Sequence, residues 1–407
     1  MKKKARVFIN MHYLELGGAE TALIGLLSAI DYDHVSVDLF LNDHRGELLS
    51  YIPQKVHLLP IIPSYSMLER PIVELLRKGY WRIAVARLLA KFDTWRDLHR
   101  NILHKDDFCC FFNMAKRTTP LLPFINPETN YDLAISFLAP HQIVADKVLA
   151  KRKVAWIHTD YTNVYVRPEK EVAVWRCFDA IASISDEVTT KFVQVFPSLR
   201  KEVFVFENIL PIDMIHNRAN AFVPEDMLYE SDTICLLSIG RYSHPKRFDE
   251  IPIICKKTLP FLRGKNLKWY IIGYGGDEHL ILQRIAETEM EEHVILLGKR
   301  TNPYPYIKFC HYYVQPSRYE GKSISVQEAQ LLCKPVIITD YPTARSQVQD
   351  GIDGVIIPMQ IDACARKLAE SILDESLRDR IIAHLQNKPP DYSMVQKLYS
   401  LCNVPCK

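Results

Sequence analysis

Glu320 and Glu328 stand with seven residues between them in the stretch Glu320-Gly-Lys322-Ser323-Ile324-Ser-Val-Gln-Glu328. Carboxylates accept hydrogen bonds from sugar hydroxyls but repel phosphates. The Gly-Lys-Ser turn between them runs from a strand-like stretch into an apolar-periodic helix, and a helix N-terminus turns backbone N–H groups toward an anion. A ligand with both phosphates and sugars suits that combination. Upstream, Gly240-Arg241-Tyr-Ser-His-Pro-Lys246-Arg247 follows a second strand-like run. Its guanidinium and ammonium groups can neutralise a diphosphate, with Arg247 competing for the role of its neighbour Lys246. Each piece has a plainer alternative. Ser325-x-x-Glu328 also fits a capping box, and Lys-Arg doublets are usually solvated surface charge.

Further pieces lie elsewhere in the chain. Gly17-Gly18-Ala-Glu20 sits between the first strand and a helix, where glycines let a loop backbone come close to a ligand; a Gly-x-Gly-x-x-Gly fingerprint is missing. His158 ends a strand within Trp156-Ile-His-Thr-Asp160, with Asp160 as a second candidate beside it. A histidine there is either a hydrogen-bonded structural residue or a site residue. Gly273-Tyr-Gly275-Gly276 and Gly298-Lys299-Arg300 close two more strands and can bring backbone near a ligand. Asp31-Tyr-Asp33 mimics a metal-binding pair but falls between a helix and a strand, so it reads as a turn. No carboxylate or histidine cluster has metal-ligand spacing, which predicts chemistry without a metal or other cofactor.

The elements that must carry these residues alternate: short β-branched or aromatic runs, then longer amphipathic stretches, the pattern of βαβ units and parallel sheets. Strands are predicted at 6–12, 35–40, 132–137, 154–158, 180–185 and 203–207, and again at 233–239, 267–272, 294–297, 312–315, 335–339 and 354–357. These two sets predict an α/β protein of two Rossmann-like, doubly wound domains. The boundaries fall at 1–210 and 211–385, followed by a segment 386–407 that ends in a helix. Residues 64–125 break the rhythm with helical periodicity alone. Arg70, Arg77, Lys78, Arg82, Arg87, Lys91, Arg96 and Arg100 interleave there with Tyr80, Trp81, Phe92 and Trp95. That pattern fits either a helix pair lying on an anionic membrane leaflet or a helical insertion packed on the first domain with a solvated basic face.

With 407 residues the chain has room for both domains. A net charge of +3 is too small to argue for nucleic acid. No apolar run reaches the ~18–20 residues of a membrane span, and the basic start lacks a cleavage site and reads as a first strand. Ten scattered cysteines without a Cys-x-x-Cys pair predict neither zinc nor a disulfide framework, and so a cytoplasmic location.

The Arg241/Lys246 and Glu320/Glu328 motifs, in this order and at this separation, resemble the donor domain of the family 4 glycosyltransferases. These are retaining enzymes with two Rossmann-like domains facing a cleft, the GT-B type. The resemblance implies that Glu328 holds the ribose hydroxyls of a nucleotide and that Glu320 lies by the donor sugar. It also implies that Arg241 and Lys246 stabilise the departing diphosphate and that His158 touches the transferred sugar. Gly17, Gly18, Gly240, Lys299, Lys322, Ser323 and Ile324 then contribute to nucleotide-sugar binding, and the last helix crosses back onto the first domain. The chain departs from the common pattern, in which an aromatic residue and a glycine follow Glu-Gly, by having Lys322 and Ser323. The implied role is transfer of a hexose or N-acetylhexosamine, from a UDP-sugar, to a glycan or lipid-linked acceptor in bacterial capsule or exopolysaccharide assembly. The work would be done in the cytoplasm, at the inner face of the plasma membrane if the basic helices lie on lipid. A UDP-sugar 2-epimerase on the same frame and a non-catalytic nucleotide-sugar-binding subunit are the alternatives.

Overall fold

The computed structural model describes residues 4–99, 108–227, 232–389 and 391–402. Its chain forms two compact units, Met1–Ile209 with Asp391–Lys407, and Leu210–Pro390. Arg100 lies outside the described residues.

The first unit holds strands β1 (Ala5–Met11), β2 (Val35–Leu41), β3 (His57–Leu58), β4 (Leu133–Ser136), β5 (Lys153–Ile157), β6 (Ala180–Ser183) and β7 (Val203–Val205). They pair in parallel in the order β3-β2-β1-β4-β5-β6-β7. Central strands are covered on both faces, which is why β1 and β4 are apolar almost throughout. Between β3 and β4 the chain runs through the helices Pro63–Ser66, Ile72–Arg77, Trp81–Leu98 and Cys109–Thr118. At the other end of the sequence, the helix Met394–Leu401 is tied into this unit. The Tyr399 hydroxyl accepts the Asp31 N–H at 2.7 Å, and Lys397 donates to the Val205 carbonyl at 2.6 Å.

The second unit holds β8 (Thr233–Ile239), β9 (Asn266–Ile272), β10 (Val294–Gly298), β11 (Tyr312–Gln315), β12 (Val336–Thr339) and β13 (Val355–Ile357). All pairs are parallel, in the order β10-β9-β8-β11-β12-β13. Its core gathers Leu236, Trp269, Ile271, Val314 and Ile337 with Ile254 and Leu368 from the covering helices. The buried polar atoms on the central strands are satisfied: the Trp269 indole donates to Ser238 Oγ at 2.9 Å, and Ser238 donates to the Val314 carbonyl at 2.6 Å. In both sheets the first strand is flanked by the second and the fourth. The strand order therefore reverses between β1 and β4, and between β8 and β11. Loops at the carboxyl ends of such a pair diverge and leave a crevice where ligands bind.

Candidate functional site

At the reversal point of the second unit the loop after β8 meets the loop after β11. The Lys246 ammonium lies 2.6 Å from Glu320 Oε1. The same oxygen accepts from Ser317 Oγ at 2.6 Å and from Gln315 Nε2 at 3.3 Å, so four side chains, from the end of β11 and the loops after β8 and β11, converge. Gly240 explains the path of the lysine. A Cβ there would lie 3.3 Å from Lys246 Cδ and Cε, so the missing side chain leaves the groove in which the lysine stem runs. The Gly240 N–H bonds to the Ile272 carbonyl at 3.0 Å, which makes its contribution one of space rather than of a donor offered to a ligand. Arg241 is exposed; its carbonyl accepts from Ser243 Oγ at 3.4 Å, and its guanidinium forms no ion pair among the described residues. Arg247 does not compete with Lys246. It is buried, takes a left-handed backbone (φ 60°) and spends its guanidinium on Glu250 and, at 2.7 Å, on the Met359 carbonyl.

Arg318, which the sequence reading passed over, locks the two loops together. It bonds Asp249 at 3.0 Å through both terminal nitrogens, and also Glu250 at 2.6 Å and the His244 carbonyl at 2.7 Å. A bidentate guanidinium–carboxylate pair holds geometry as well as charge, and here it fixes Lys246 relative to Glu320.

The helix Ile324–Leu331 follows directly. No side chain caps it, so the capping-box alternative for Glu328 fails. Glu328 instead points inward, 7% exposed, and accepts from the Tyr304 hydroxyl at 2.8 Å. Burial raises its carboxyl to about 7, against weaker opposite pulls from the Tyr304 hydrogen bond and the Arg218 charge. Ser323 is not a free backbone donor: its N–H bonds Gln347 Oε1 at 3.1 Å, and Gln347 Nε2 donates back to its carbonyl at 2.5 Å. Donors open to an anion therefore begin at Ile324, and Gln347 is a further residue that shapes the turn. Lys322 is half-buried beside it. Gly273 and Gly275 are needed for protein packing rather than ligand approach. A Cβ on Gly273 would lie 1.9 Å from the Gly240 carbonyl oxygen, and one on Gly275 2.3 Å from the Tyr242 carbonyl oxygen. Lys299, after the edge strand β10, lies over the exposed Tyr274 ring with its ammonium 5.3 Å from the centroid. The sheet order puts it two strands away from β8.

In the first unit Gly17 precedes the helix Gly18–Ala29. Glu20 folds back over this backbone, its Oε2 2.2 Å from where a Cβ on Gly17 would stand; because that carboxylate is the end of a flexible side chain and the Gly17 backbone is extended, nothing among the unit's described residues requires the glycine. His158 directly follows β5, with its ring against Phe137 (centroids 4.8 Å apart) and Trp156. Burial lowers its pKa to about 4, so it is neutral near pH 7, and its enclosed Nε2 has no partner. Two more histidines, missed in the sequence, stand at the neighbouring reversal point. His12 follows β1, with a pKa lowered by burial to about 4 and Nε2 unpartnered. His141 follows β4, is lowered by burial to about 3 and bonds Ser136 Oγ at 2.8 Å. Asp160 is spent locally, accepting from the Thr162 N–H (2.8 Å), the Thr162 hydroxyl (2.6 Å) and Asn163 (2.8 Å). Asp31 likewise closes its own turn by accepting the Asp33 N–H at 2.9 Å. Among the described residues no group of three or more histidine, cysteine or acidic side chains is placed to hold a metal ion.

Residues 224–388, inside the second unit, match the family model for glycosyl transferases group 1. A 189-residue stretch is 30% identical to N-acetylgalactosamine-N,N'-diacetylbacillosaminyl-diphospho-undecaprenol 4-alpha-N-acetylgalactosaminyltransferase of Campylobacter jejuni, covering 46% of this chain and 48% of that protein. Another, of 158 residues, is 27% identical to poly(ribitol-phosphate) alpha-N-acetylglucosaminyltransferase of Staphylococcus aureus, covering 38% of this chain and 30% of that one. The chain thus spans half or less of the length of these relatives. HepE of Anabaena, solved with UDP and glucose, superposes with a TM-score of 0.66 at 13% identity over 98% of this chain and all of HepE. This is the GT-B fold. Within it, the Lys246–Glu320 pair and the Tyr304–Glu328 pair both belong to the unit that the family model matches.

Proposed function

We propose that the chain is a glycosyltransferase that moves a hexose or N-acetylhexosamine from a UDP-sugar to a glycan or lipid-linked acceptor. The setting would be bacterial cell-surface polysaccharide assembly in the cytoplasm. The observation that carries this reading is the Lys246–Glu320 pair, set beside the unpaired Arg241 at the strand-order reversal of the second unit. Lys246 and Arg241 stabilise the charge that builds on the departing diphosphate, and the start of the helix Ile324–Leu331 adds N–H donors. Glu328 accepts from the ribose hydroxyls and Glu320 from the donor sugar. His158 of the first unit, neutral, is assigned contact with the transferred sugar. Transfer proceeds with retention: the anomeric carbon–diphosphate bond breaks, the acceptor oxygen bonds to the same face, and its proton passes to a diphosphate oxygen. The UDP preference is supported by the UDP in HepE. A bacterial glycan acceptor is supported by the names of the Campylobacter and Staphylococcus relatives.

Thermal-shift binding with UDP, GDP, ADP and dTDP in EDTA tests the reading. A selective rise in Tm with UDP, lost in Glu328→Ala, is the expected result; no rise with any of the four would overturn it. Because Lys246 and Arg241 supply the positive charge, turnover of the donor is expected to continue in EDTA at close to its full rate. Complete loss, restored by adding a divalent ion, would refute the metal-independent route.

A further inference from the structure

The helix Trp81–Leu98 has two apolar faces. One carries Ile83, Ala84, Ala86 and Ala90 into the first unit. It is fixed there by buried acids: Asp97 bonds Arg167 at 2.7 Å and Lys170 at 3.1 Å, and Asp93 bonds Arg117 at 2.8 Å. These bonds prevent the helix from rolling about its axis. The opposite face is a stripe at positions 81, 85, 88, 92 and 95, the spacing of one side of a helix. It is left in solvent: Trp81 is 62% exposed, Leu88 53%, Phe92 57% and Trp95 56%. Val73, 69% exposed on the preceding helix Ile72–Arg77, is a further large apolar side chain left in water. Single exposed apolar residues are ordinary; a five-position stripe along an 18-residue helix is not.

Basic side chains flank the stripe. Arg77, Arg82 and Lys91 are exposed and have no ion-pair partner among the described residues. The acids of this helix, Asp93 and Asp97, face the protein interior, so the outward face is cationic as well as apolar.

We infer that this face is an interfacial anchor that lies in the plane of an anionic lipid bilayer. Leu88 and Phe92 enter the acyl boundary, Trp81 and Trp95 sit at headgroup level, and Arg77, Arg82 and Lys91 reach the lipid phosphates. A second copy of the chain is a poorer occupant: pairing two such faces brings their cationic flanks together, while Asp93 and Asp97 are turned inward and Glu74, on the preceding helix, is already paired with Lys78 at 2.8 Å. No described helix is long and apolar enough to cross a membrane, and a face of this kind lies in the interface plane and binds reversibly. The inference rests on the first unit and holds whatever the second unit binds.

The test is co-sedimentation of the full chain with vesicles of phosphatidylcholine, with and without phosphatidylglycerol, at low and high salt. Binding is expected only to the anionic vesicles, and it should weaken as salt rises. Phe92→Ser/Trp95→Ser and Arg82→Glu/Lys91→Glu should each weaken it roughly tenfold or more. Both pairs replace exposed side chains, so circular dichroism and UDP binding should match the wild type; that separates failure here from failure of the nucleotide site. Absence of binding at low salt would overturn the proposal, as would binding unaffected by either pair. A dimer in light scattering that Phe92→Ser/Trp95→Ser dissolves, without lipid binding, would assign the face to a second copy instead.

Discussion

Lys246→Ala is expected to lower donor turnover by roughly 10²–10³-fold, the loss of about 2.7–4 kcal/mol that follows removal of one charge-stabilising donor from a preorganised site. The ammonium is positioned before any ligand arrives. Gly240 makes room for its stem, Glu320 bonds its head at 2.6 Å, and Arg318 ties the loop that carries it to the loop that carries Glu320. Because it meets charge that develops as the diphosphate leaves, kcat should fall much further than donor affinity. Stability should fall less, by about 1–2 kcal/mol, since Glu320 keeps its bonds from Ser317 and Gln315 when the lysine is gone. Lys246→Arg should not rescue turnover: a longer, planar guanidinium cannot set a point charge where the lysine ammonium meets Glu320. UDP release from the donor, measured at saturation with Tm recorded in parallel, checks both parts. A kcat within threefold of wild type in Lys246→Ala would end the leaving-group role.

The sequence made the sheets legible because parallel strands buried on both faces read as short apolar runs. Each of the twelve strands predicted from such a run is a strand in the structure. The two-residue β3 was missed because His57–Leu58 is too short to show any periodicity. The site was legible where chemistry depends on residue type at the end of a strand. Lys246 and Glu320 are 74 residues apart in the chain, yet their placement after β8 and β11 brings them into contact once the strand order is known. What could not be read was the use of groups already spoken for. Asp160 closes its own turn, the Ser323 N–H is taken by Gln347, and Arg247 is buried on Met359. Residue type says what a group can bond, but only packing says what it does bond. The same limit hid Arg318, an unremarkable surface-type residue until Asp249 and Glu250 are seen opposite it. It also hid His12 and His141, lone histidines until the order β1-β4-β5 gathers them around His158. Glu328 shows the reverse case. Its spacing from Ser325 argued for a helix cap, and burial beneath Tyr304 makes it something else.

Glu328→Gln should therefore raise stability and lower nucleotide affinity at the same time. The carboxyl titrates at about 7 in the folded chain against an ordinary 4.5, so folding favours its protonated form. For an acid shifted upward the sign is unfavourable to the fold. Little is lost below pH 4.5; the penalty grows as pH rises toward 7 and is complete above it, at up to about 3 kcal/mol. A glutamine carries no charge to desolvate and can still accept from Tyr304, although its amide N–H groups then need partners. The net gain at pH 8 is expected to be about 1–2 kcal/mol, roughly 3–6 °C in Tm for a unit of this size, vanishing near pH 5. Binding should move the other way. Ribose hydroxyls donate to the ionised carboxylate, so wild-type affinity for UDP should climb as pH rises to about 7 and then level off, approaching tenfold per unit where the carboxyl is protonated. The terminal phosphate of UDP titrates in the same range, and the variant provides the correction, because it retains that dependence and loses only the part due to Glu328. At pH 8 it should bind UDP about 10–100-fold more weakly, the value of charge-assisted bonds replaced by neutral ones. Calorimetry with UDP across pH 5–8, on both proteins, reads the difference directly. Identical pH profiles would remove Glu328 from the nucleotide site. A variant less stable than wild type at pH 8 would mean that the buried carboxylate is held ionised for the fold itself, and the opposition between stability and binding at this position would not exist.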